Sequence, residues 1–595
     1  MKKLSIPFQI MLLIVAVLAV YFPTMFADIC LIDDYDAISY FLTQDSMSFK
    51  RVFFPQSAGG GYYRPLISFS YLLDKDFWFL HERQMHFESV VAHLVNALLV
   101  FCICREAVIL HLRRRGTWLP FAAALMFSLH PIMTESVNWI SGRTDIMMGT
   151  FVLASVLCLL RFIQSRSKTL LMMAIISGLI ACLAKEAAFA YLVGLPRLAM
   201  HKRETVLTED KNVLNKVHLY FAYFIGAFLA ALFFNSYWLV LGITLFYMIH
   251  LLYKECELNH IKASVSKIVT WSSISISALT GAVALFVIVR RLAFTSSVSK
   301  IGQTVTLMMA DLNYTISLFL GAVGFYVKKF FLPLPLNFFI LEIDPLYDFV
   351  GIAVLMIVCN LIISKKLTVI LFLSGLLLLL PVLPFAFGTI AWTAYAERYI
   401  YLPSAFWILA LCLWGGVWLE QNPAQKHLVT TLVLIICLSA ACVTFWRNVV
   451  WQSNVTLMRD TVAQTPRIRK LRNIYIKALL DKGATDEALK QYYLAAVEVP
   501  SPVGDEQAAL MISAKLVSEC RNYEALQLYQ DALKRAQFKS ELLLTASIRH
   551  VRVMLAVDNI SEQEREKLSG LLNKYSVILE GTKQKKSPLR SGKGK

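Results

Sequence analysis

The sequence predicts an all-α chain: a polytopic membrane helix bundle of about thirteen spans, followed by a C-terminal α-solenoid of short helical repeats. Three observations predict it. Of 595 residues, 57% are hydrophobic, more apolar surface than a soluble chain of this size can cover. Those residues gather in runs of roughly 20, the length that crosses a bilayer core as a helix. After residue 447 the runs stop and a polar region with helical periodicity takes over.

About fourteen segments qualify as spans. They are 6–27, 87–104, 118–133, 145–163, 169–184, 186–200, 217–234, 236–253, 268–289, 309–332, 346–364, 367–388, 403–420 and 427–446. Met1-Lys2-Lys3 and the long run after it read as an uncleaved first span, with a cleaved signal peptide the rival reading; the run is long and no small-residue cleavage site precedes Asp28. The net charge of +18 is not one patch: basic residues punctuate the spans, with Arg113-Arg114-Arg115 the densest cluster. Such clusters mark cytoplasmic loops, so the charge excludes nucleic acid as a partner. Lys2-Lys3 inside, Asp33-Asp34 outside and Arg113 to Arg115 inside form one consistent path. The cysteines fall mostly within spans at no zinc-binding spacing, and read as small buried hydrophobes.

Three regions follow. Residues 1–447 form the membrane domain, with a long outer loop at 28–85 that carries Gly59-Gly60-Gly61 and Tyr62-Tyr63-Arg64-Pro65. Residues 448–582 form the repeat domain, and 583–595 a basic tail expected to be disordered. In the repeat domain Ala488, Tyr492 and Ala495 recur as Ala525, Tyr529 and Ala532 at an offset of 37 residues, read directly from the chain. A tetratricopeptide repeat has a period of about 34, so one short insertion accounts for the offset. Small residues at the Ala positions let antiparallel helices pack closely. An ordinary helical hairpin is the alternative. Parity leaves sidedness open: fourteen crossings put the repeats on the side of the N-terminus, thirteen on the opposite side.

Charged residues in or beside a bilayer cost roughly 2.5–3.5 kcal/mol at a helix centre, which makes them functional candidates. Asp33-Asp34 follows the first span. The turn His130 to Asp145 concentrates His130, Glu135, Arg143 and Asp145; the next outer turn carries Lys185-Glu186, and Glu397-Arg398 comes before a late span. With these spans alternating, all of them reach the same outer edge. His86, His93 and Asn96, seven and ten residues apart, share one face of the second span. Each feature also has a structural reading. The histidines and Asn96 could bond neighbouring helices. Arg143 could pair with Asp145, Lys185 with Glu186 could anchor an interface, and Arg398 could neutralise Glu397.

The run HPIMTESVNWISGRTD resembles the HP-x-x-x-E-x-V-x-x-I-x-G-R-x-D signature of the TMTC-type O-mannosyltransferases and their bacterial relatives. DDYDAI, YYRPL, AKE and AERYIYLPS agree with that family in order, as does the junction WRNVVWQSNVTLMRDTVAQTP before the repeats. The resemblance implies an inverting GT-C membrane glycosyltransferase that uses a polyprenyl-phosphate sugar. It implies Asp34 or Asp33 as the base, with Asp34 slightly favoured. Arg143, Arg64, Arg398 and Lys185 would hold the lipid phosphate. His93, His86, Asn96, His130, Glu135, Asp145, Glu186, Glu397 and Tyr401 would bind substrate. A divalent ion could sit on Asp33, Asp34 and Glu135, but no spacing demands one, and the expectation is metal-independent transfer without a cofactor.

The expected acceptor is a protein docked on an outward-facing repeat domain, hence thirteen crossings, in a bacterial inner membrane with the site facing the periplasm. A lipid or surface-glycan acceptor is an alternative. A non-catalytic scaffold or a transporter is the rival from another class; a scaffold needs no acids and arginines on one face, and a transporter should show matching broken spans.

Overall fold

A computed structural model describes residues 5–43, 52–53, 63–112, 118–165, 167–192, 298–361, 366–498, 502–557 and 560–586. Every element of length among them is a helix. The chain divides into two compact units, Met1–Gln452 and Ser453–Lys595.

In the first unit α1 spans Ile6–Val20, α2 Asp34–Leu42, α3 Pro65–Trp78, α4 Glu82–Leu112, α5 Leu119–Ser128, α6 Met133–Asn138, α7 Arg143–Ser165 and α8 Lys168–Ala184. Then come α9 (Val298–Ala310), α10 (Leu312–Phe331), α11 (Tyr347–Leu361), α12 (Leu367–Leu377), α13 (Tyr401–Gln421) and α14 (Lys426–Trp451). Among the described residues five stretches are long and apolar enough to cross a membrane: Glu82–Leu112, Ile140–Ser165, Leu367–Phe387, Glu397–Gln421 and Pro423–Trp451. The pair Gly302–Ala310 and Leu312–Phe331, bent by 109°, makes a sixth if counted as one span.

Some expected segments take a different form. The segment 118–133 is the ten-residue helix α5 followed by turns. Pro131 explains the stop: it lacks an N–H and disfavours helical backbone at His130. In 6–27 the α-helix ends at Val20 and a 3₁₀ turn, Phe22–Phe26, follows. The expected spans at 217–234, 236–253 and 268–289, most of 186–200, the Arg113–Arg115 cluster and Gly59 to Tyr62 lie outside the described residues.

The core sits where α4, α5, α7 and α13 meet, with α8 packed along α7. Their shared interior buries Val100, Phe127, Val152, Leu153, Phe406 and Leu409 completely. By contrast the apolar window of Pro423–Trp451 is only 11% buried, and Leu428, Leu432, Ile435 and Ile436 point outward. An apolar helix left uncovered in this way faces lipid. Helices α10 and α11 touch backbone to backbone at Gly351, where a Cβ would stand 2.0 Å from the Leu320 carbonyl oxygen. No other residue admits that approach.

A buried polar chain ties the two ends of this unit together. Thr24 donates to Asn138 Oδ1 at 2.8 Å, Asn138 donates to Asn448 Oδ1 at 2.7 Å, and Asn448 donates to the Val20 carbonyl at 2.9 Å. All three side chains are shielded from solvent, so each bond satisfies a group that would otherwise be costly to bury. The short helix α6 is thereby pinned to α1 and α14.

The second unit holds α15 (Asn454–Gln464), α16 (Arg469–Asp481), α17 (Thr485–Glu498), α18 (Pro502–Ser518), α19 (Asn522–Arg535), α20 (Glu541–Leu555) and α21 (Glu562–Lys586). Each packs on the next, and α18 also packs on α16 and α20. Ser540 caps α20 by accepting the Leu543 N–H at 3.1 Å. Ala488, Tyr492, Ala495, Ala525, Tyr529 and Ala532 are all buried.

Candidate active site

The site is built on the turn between α6 and α7. Trp139 leaves α6 in extended conformation, and Ile140–Gly142 form a single 3₁₀ turn before α7 begins. At Gly142 a Cβ would lie 2.6 Å from the Ser136 carbonyl oxygen, so the turn closes this tightly only around glycine. The turn directs the N–H groups of Ile140 and Ser141 toward α2.

Asp34 receives them. Its Oδ2 accepts the Ile140 N–H at 3.1 Å and its Oδ1 the Ser141 N–H at 2.7 Å. Asp33 sits just before α2 with φ of 63°, at the centre of a three-residue turn closed by the Asp34 N–H donating to the Ile32 carbonyl at 2.8 Å. This reversal leaves Asp33 exposed and Asp34 wholly buried. Burial raises the Asp34 carboxyl from the usual range to about 7, against the opposing pull of Ser141, the Ile140 amide and nearby Arg143.

Five ion pairs surround that turn, and none joins sequence neighbours. Arg143 pairs with Asp74 of α3 and donates to Ser70 at 3.2 Å. Lys185 clasps both oxygens of Asp145 at 2.6 and 2.7 Å. Arg398 pairs with Glu135, which also accepts the Arg398 backbone N–H at 2.9 Å. Glu397 takes Lys329 at 2.7 Å and the Asn337 N–H at 3.0 Å. Arg64 grips Glu186 through two bonds of 3.0 and 2.7 Å. The Arg143–Asp145 and Glu397–Arg398 pairings offered as structural readings are therefore replaced by long-range ones, and Lys185 and Glu186 each find a partner on another element. Glu135 is raised above its normal range chiefly by burial, with Arg398 opposing.

Of these five pairs, Arg64–Glu186 is the most open, at 20% and 28% side-chain exposure. The others are sealed, and aromatic rings cover their cations. Arg143 lies 4.4 Å from the Tyr71 ring centre, and Arg398 lies 4.7 and 4.9 Å from those of Trp139 and Tyr399. Arg143 keeps Nε and Nη2 buried with no hydrogen-bond partner among the described residues.

The remaining candidates sit elsewhere in the bundle. His93 contacts the Tyr401 hydroxyl at 2.9 Å and the Ser128 carbonyl at 3.1 Å, while Asn96 donates to Tyr401 and to the Ile146 carbonyl. This knot joins α4, α5, α7 and α13. His86 is buried on the same face of α4. His130 spends both ring nitrogens on backbone, the Phe330 carbonyl at 2.9 Å and the Ile132 N–H at 3.3 Å, and stacks on Phe330. Asp74, Lys329, Tyr71, Ser141, Trp139 and Tyr399 were not singled out from the sequence. The last three lie inside the quoted motifs, which was the available signal; Asp74 and Lys329 carried none. Among the described residues no three His, Cys, Asp or Glu side chains converge to hold a metal ion, and Asp33, Asp34 and Glu135 form no such group.

No family model matches the chain. It is 32% identical over 164 residues to protein O-mannosyl-transferase tmtc2 of Xenopus laevis, covering 26% of this chain and 18% of the relative. This chain is similar to the TMTC protein O-mannosyl-transferases. Protein O-mannosyl-transferase TMTC2 of Mus musculus is 32% identical over 25% of this chain and 18% of its own length. Protein O-mannosyl-transferase TMTC1 of Mus musculus is 34% identical over 17% of this chain and 10% of its own length. The chain thus spans less than a fifth of the length of the curated relatives it matches.

Proposed function

We propose that the chain is an integral-membrane glycosyltransferase of the GT-C class. It moves a sugar, mannose in keeping with the names of its relatives, from a polyprenyl-phosphate carrier to a hydroxyl of a protein acceptor. Asp34 carries this reading: a buried carboxylate, oriented by two amides, whose affinity for a proton is raised close to neutral pH. A base works best when its pKa lies near the working pH.

In the reaction Asp34 takes the proton of the acceptor hydroxyl as that oxygen attacks the anomeric carbon. The carbon–oxygen bond to the lipid phosphate breaks on the opposite face, with inversion, and the bonding electrons leave with the phosphate. Arg64 and Arg143 receive that charge. Arg64 is the most open of the paired cations, and Arg143 has two guanidinium donors to spare. Lys185 and Arg398, locked onto Asp145 and Glu135, hold the wall of the site in place and add positive potential. Asp33, exposed at the mouth, does not act as the base.

The proposal extends to architecture. Residues 1–447 are the catalytic membrane domain with about thirteen crossings. Residues 448–582 are a tetratricopeptide-type solenoid that holds the acceptor on the outer, periplasmic face of a bacterial inner membrane, and transfer needs no metal. The test is transfer of mannose from a polyprenyl-phosphate mannose to acceptor protein by membranes containing the chain or its Asp34→Asn variant at matched expression, read by mass spectrometry. Loss of the added hexose in the variant is expected; an undiminished rate would sink the assignment.

A further inference from the structure

The second unit contains a cluster of arginines and tyrosines that the transfer reaction does not use. Arg469 and Arg472 lie on α16, Tyr492 and Tyr493 on α17, and Arg535 at the end of α19. The Arg535 guanidinium lies 5.1 and 5.4 Å from the ring centres of Tyr492 and Tyr493. Arg469, Arg472 and Tyr492 are buried and form a floor. Gln491, Tyr493 and Arg535 are half-buried and form a rim.

The nearby acids are already engaged. Glu498 pairs with Arg472. Asp531 accepts the Tyr493 hydroxyl at 3.1 Å and faces Lys534 at 4.0 Å. Arg535 makes no ion pair or hydrogen bond among the described residues, and its Nη1 is shielded from solvent. Tyr492 is 0% exposed, and its hydroxyl also lacks a hydrogen-bond partner among the described residues. Burying such donors empty is costly, and three guanidinium groups held together repel. Arg469 shows that strain: burial lowers its hold on its proton, and Arg535 and Arg472 lower it further.

We infer that this cluster is a binding site for a carboxylate of an acidic peptide segment, with Arg535 and the Tyr492 hydroxyl as its donors. A carboxylate presents two oxygens in one plane, which suits a guanidinium fork and a neighbouring hydroxyl. A peptide is favoured because the half-buried Tyr493 ring stands beside the Arg535 charge, a surface that takes up chain next to an acid. The inference rests on the reading of the second unit as the part that holds the acceptor, and it gives that acceptor an acidic residue.

The experiment uses the full chain in detergent and a fluorescent ten-residue peptide containing Asp and Glu, read by anisotropy. An Asn/Gln version of the peptide and inorganic phosphate serve as competitors. Saturable binding of the acidic peptide is expected, with roughly ten-fold weaker binding in both Arg535→Gln and Tyr492→Phe. Tyr492→Phe removes one oxygen and leaves packing intact, so it guards against misfolding of the arginine variant, and circular dichroism checks both. Asp34→Asn should leave peptide binding unchanged, which separates a failure of the transfer reading from a failure of this one. Equal binding of the acidic and amide peptides would overturn the inference. So would acidic-peptide binding indifferent to both variants, or displacement by inorganic phosphate as effective as by unlabelled acidic peptide.

Discussion

The Asp34 carboxylate is clasped by the backbone N–H groups of Ile140 and Ser141, at 3.1 and 2.7 Å. More than a hundred residues separate the partners, so this contact joins the loop after α1 to the turn before α7. It fixes where the carboxylate points and keeps it out of water.

Replacing Asp34 by Asn keeps the shape and removes the proposed base. Transfer should fall roughly a hundred- to ten-thousand-fold, the usual contribution of a general base. Asp33→Asn, at an exposed position, should change the rate by less than about ten-fold on that same scale. Initial rates at matched expression distinguish the two.

The pH dependence has opposite signs for activity and stability. Asp34 ionises with a value of about 7, against 3.8 in the unfolded chain. The folded protein therefore binds the extra proton between those values, and this group's contribution to stability is fully present at low pH and is lost as pH rises through about 7. The base, in contrast, exists only in the ionised form. Activity should rise through about pH 7, while this group's contribution to thermal stability in detergent declines between 3.8 and about 7 and is gone above it, and Asp34→Asn should flatten those parts of both profiles.

Arg398→Gln leaves Glu135 buried without its guanidinium. Breaking a buried pair in this way costs about 3–5 kcal/mol. The double variant Glu135→Gln with Arg398→Gln should recover much of it, because neither buried group then carries a charge. A double-mutant cycle on unfolding midpoints measures the coupling.

Gly142→Ala places a methyl against the Ser136 carbonyl. The turn must open, at about 1–3 kcal/mol, and the amides of Ile140 and Ser141 shift away from Asp34. Transfer should drop although no ionisable group has changed. A midpoint and rate both equal to those of the unmodified chain would contradict the tight turn.

Arg64→Ala removes the most open of the five paired cations. The expected result is an increase in KM for the proposed polyprenyl-phosphate donor, by about ten-fold for one charge-assisted contact, with a smaller change in KM for the proposed acceptor protein.

The helical class of the first unit and the charged residues that gather at its span edges were legible in the amino-acid order. Runs of apolar residues must become helices in lipid, so the all-helical first unit was legible from composition and spacing alone. The change in character near residue 447 is a feature of the sequence; in the structure the two compact units meet between Gln452 and Ser453. Asp34, Glu135, Arg143, Asp145, Lys185, Glu186 and Arg398 were all recognisable as costly charges at span edges.

Which charge partners which is set by the packing of distant segments. Neighbours such as Lys185 and Glu186, or Glu397 and Arg398, cannot face each other along a turn or helix. Each instead finds an opposite charge on another element: Asp145, Arg64, Lys329 and Glu135 respectively. The same holds for the choice between two adjacent aspartates. Asp33 and Asp34 are chemically identical in the sequence, and the three-residue turn at Asp33 sends one into solvent and the other onto the amides of Ile140 and Ser141. Local pattern carries the cost of burying a charge, but the partner that offsets that cost is supplied by packing between distant segments.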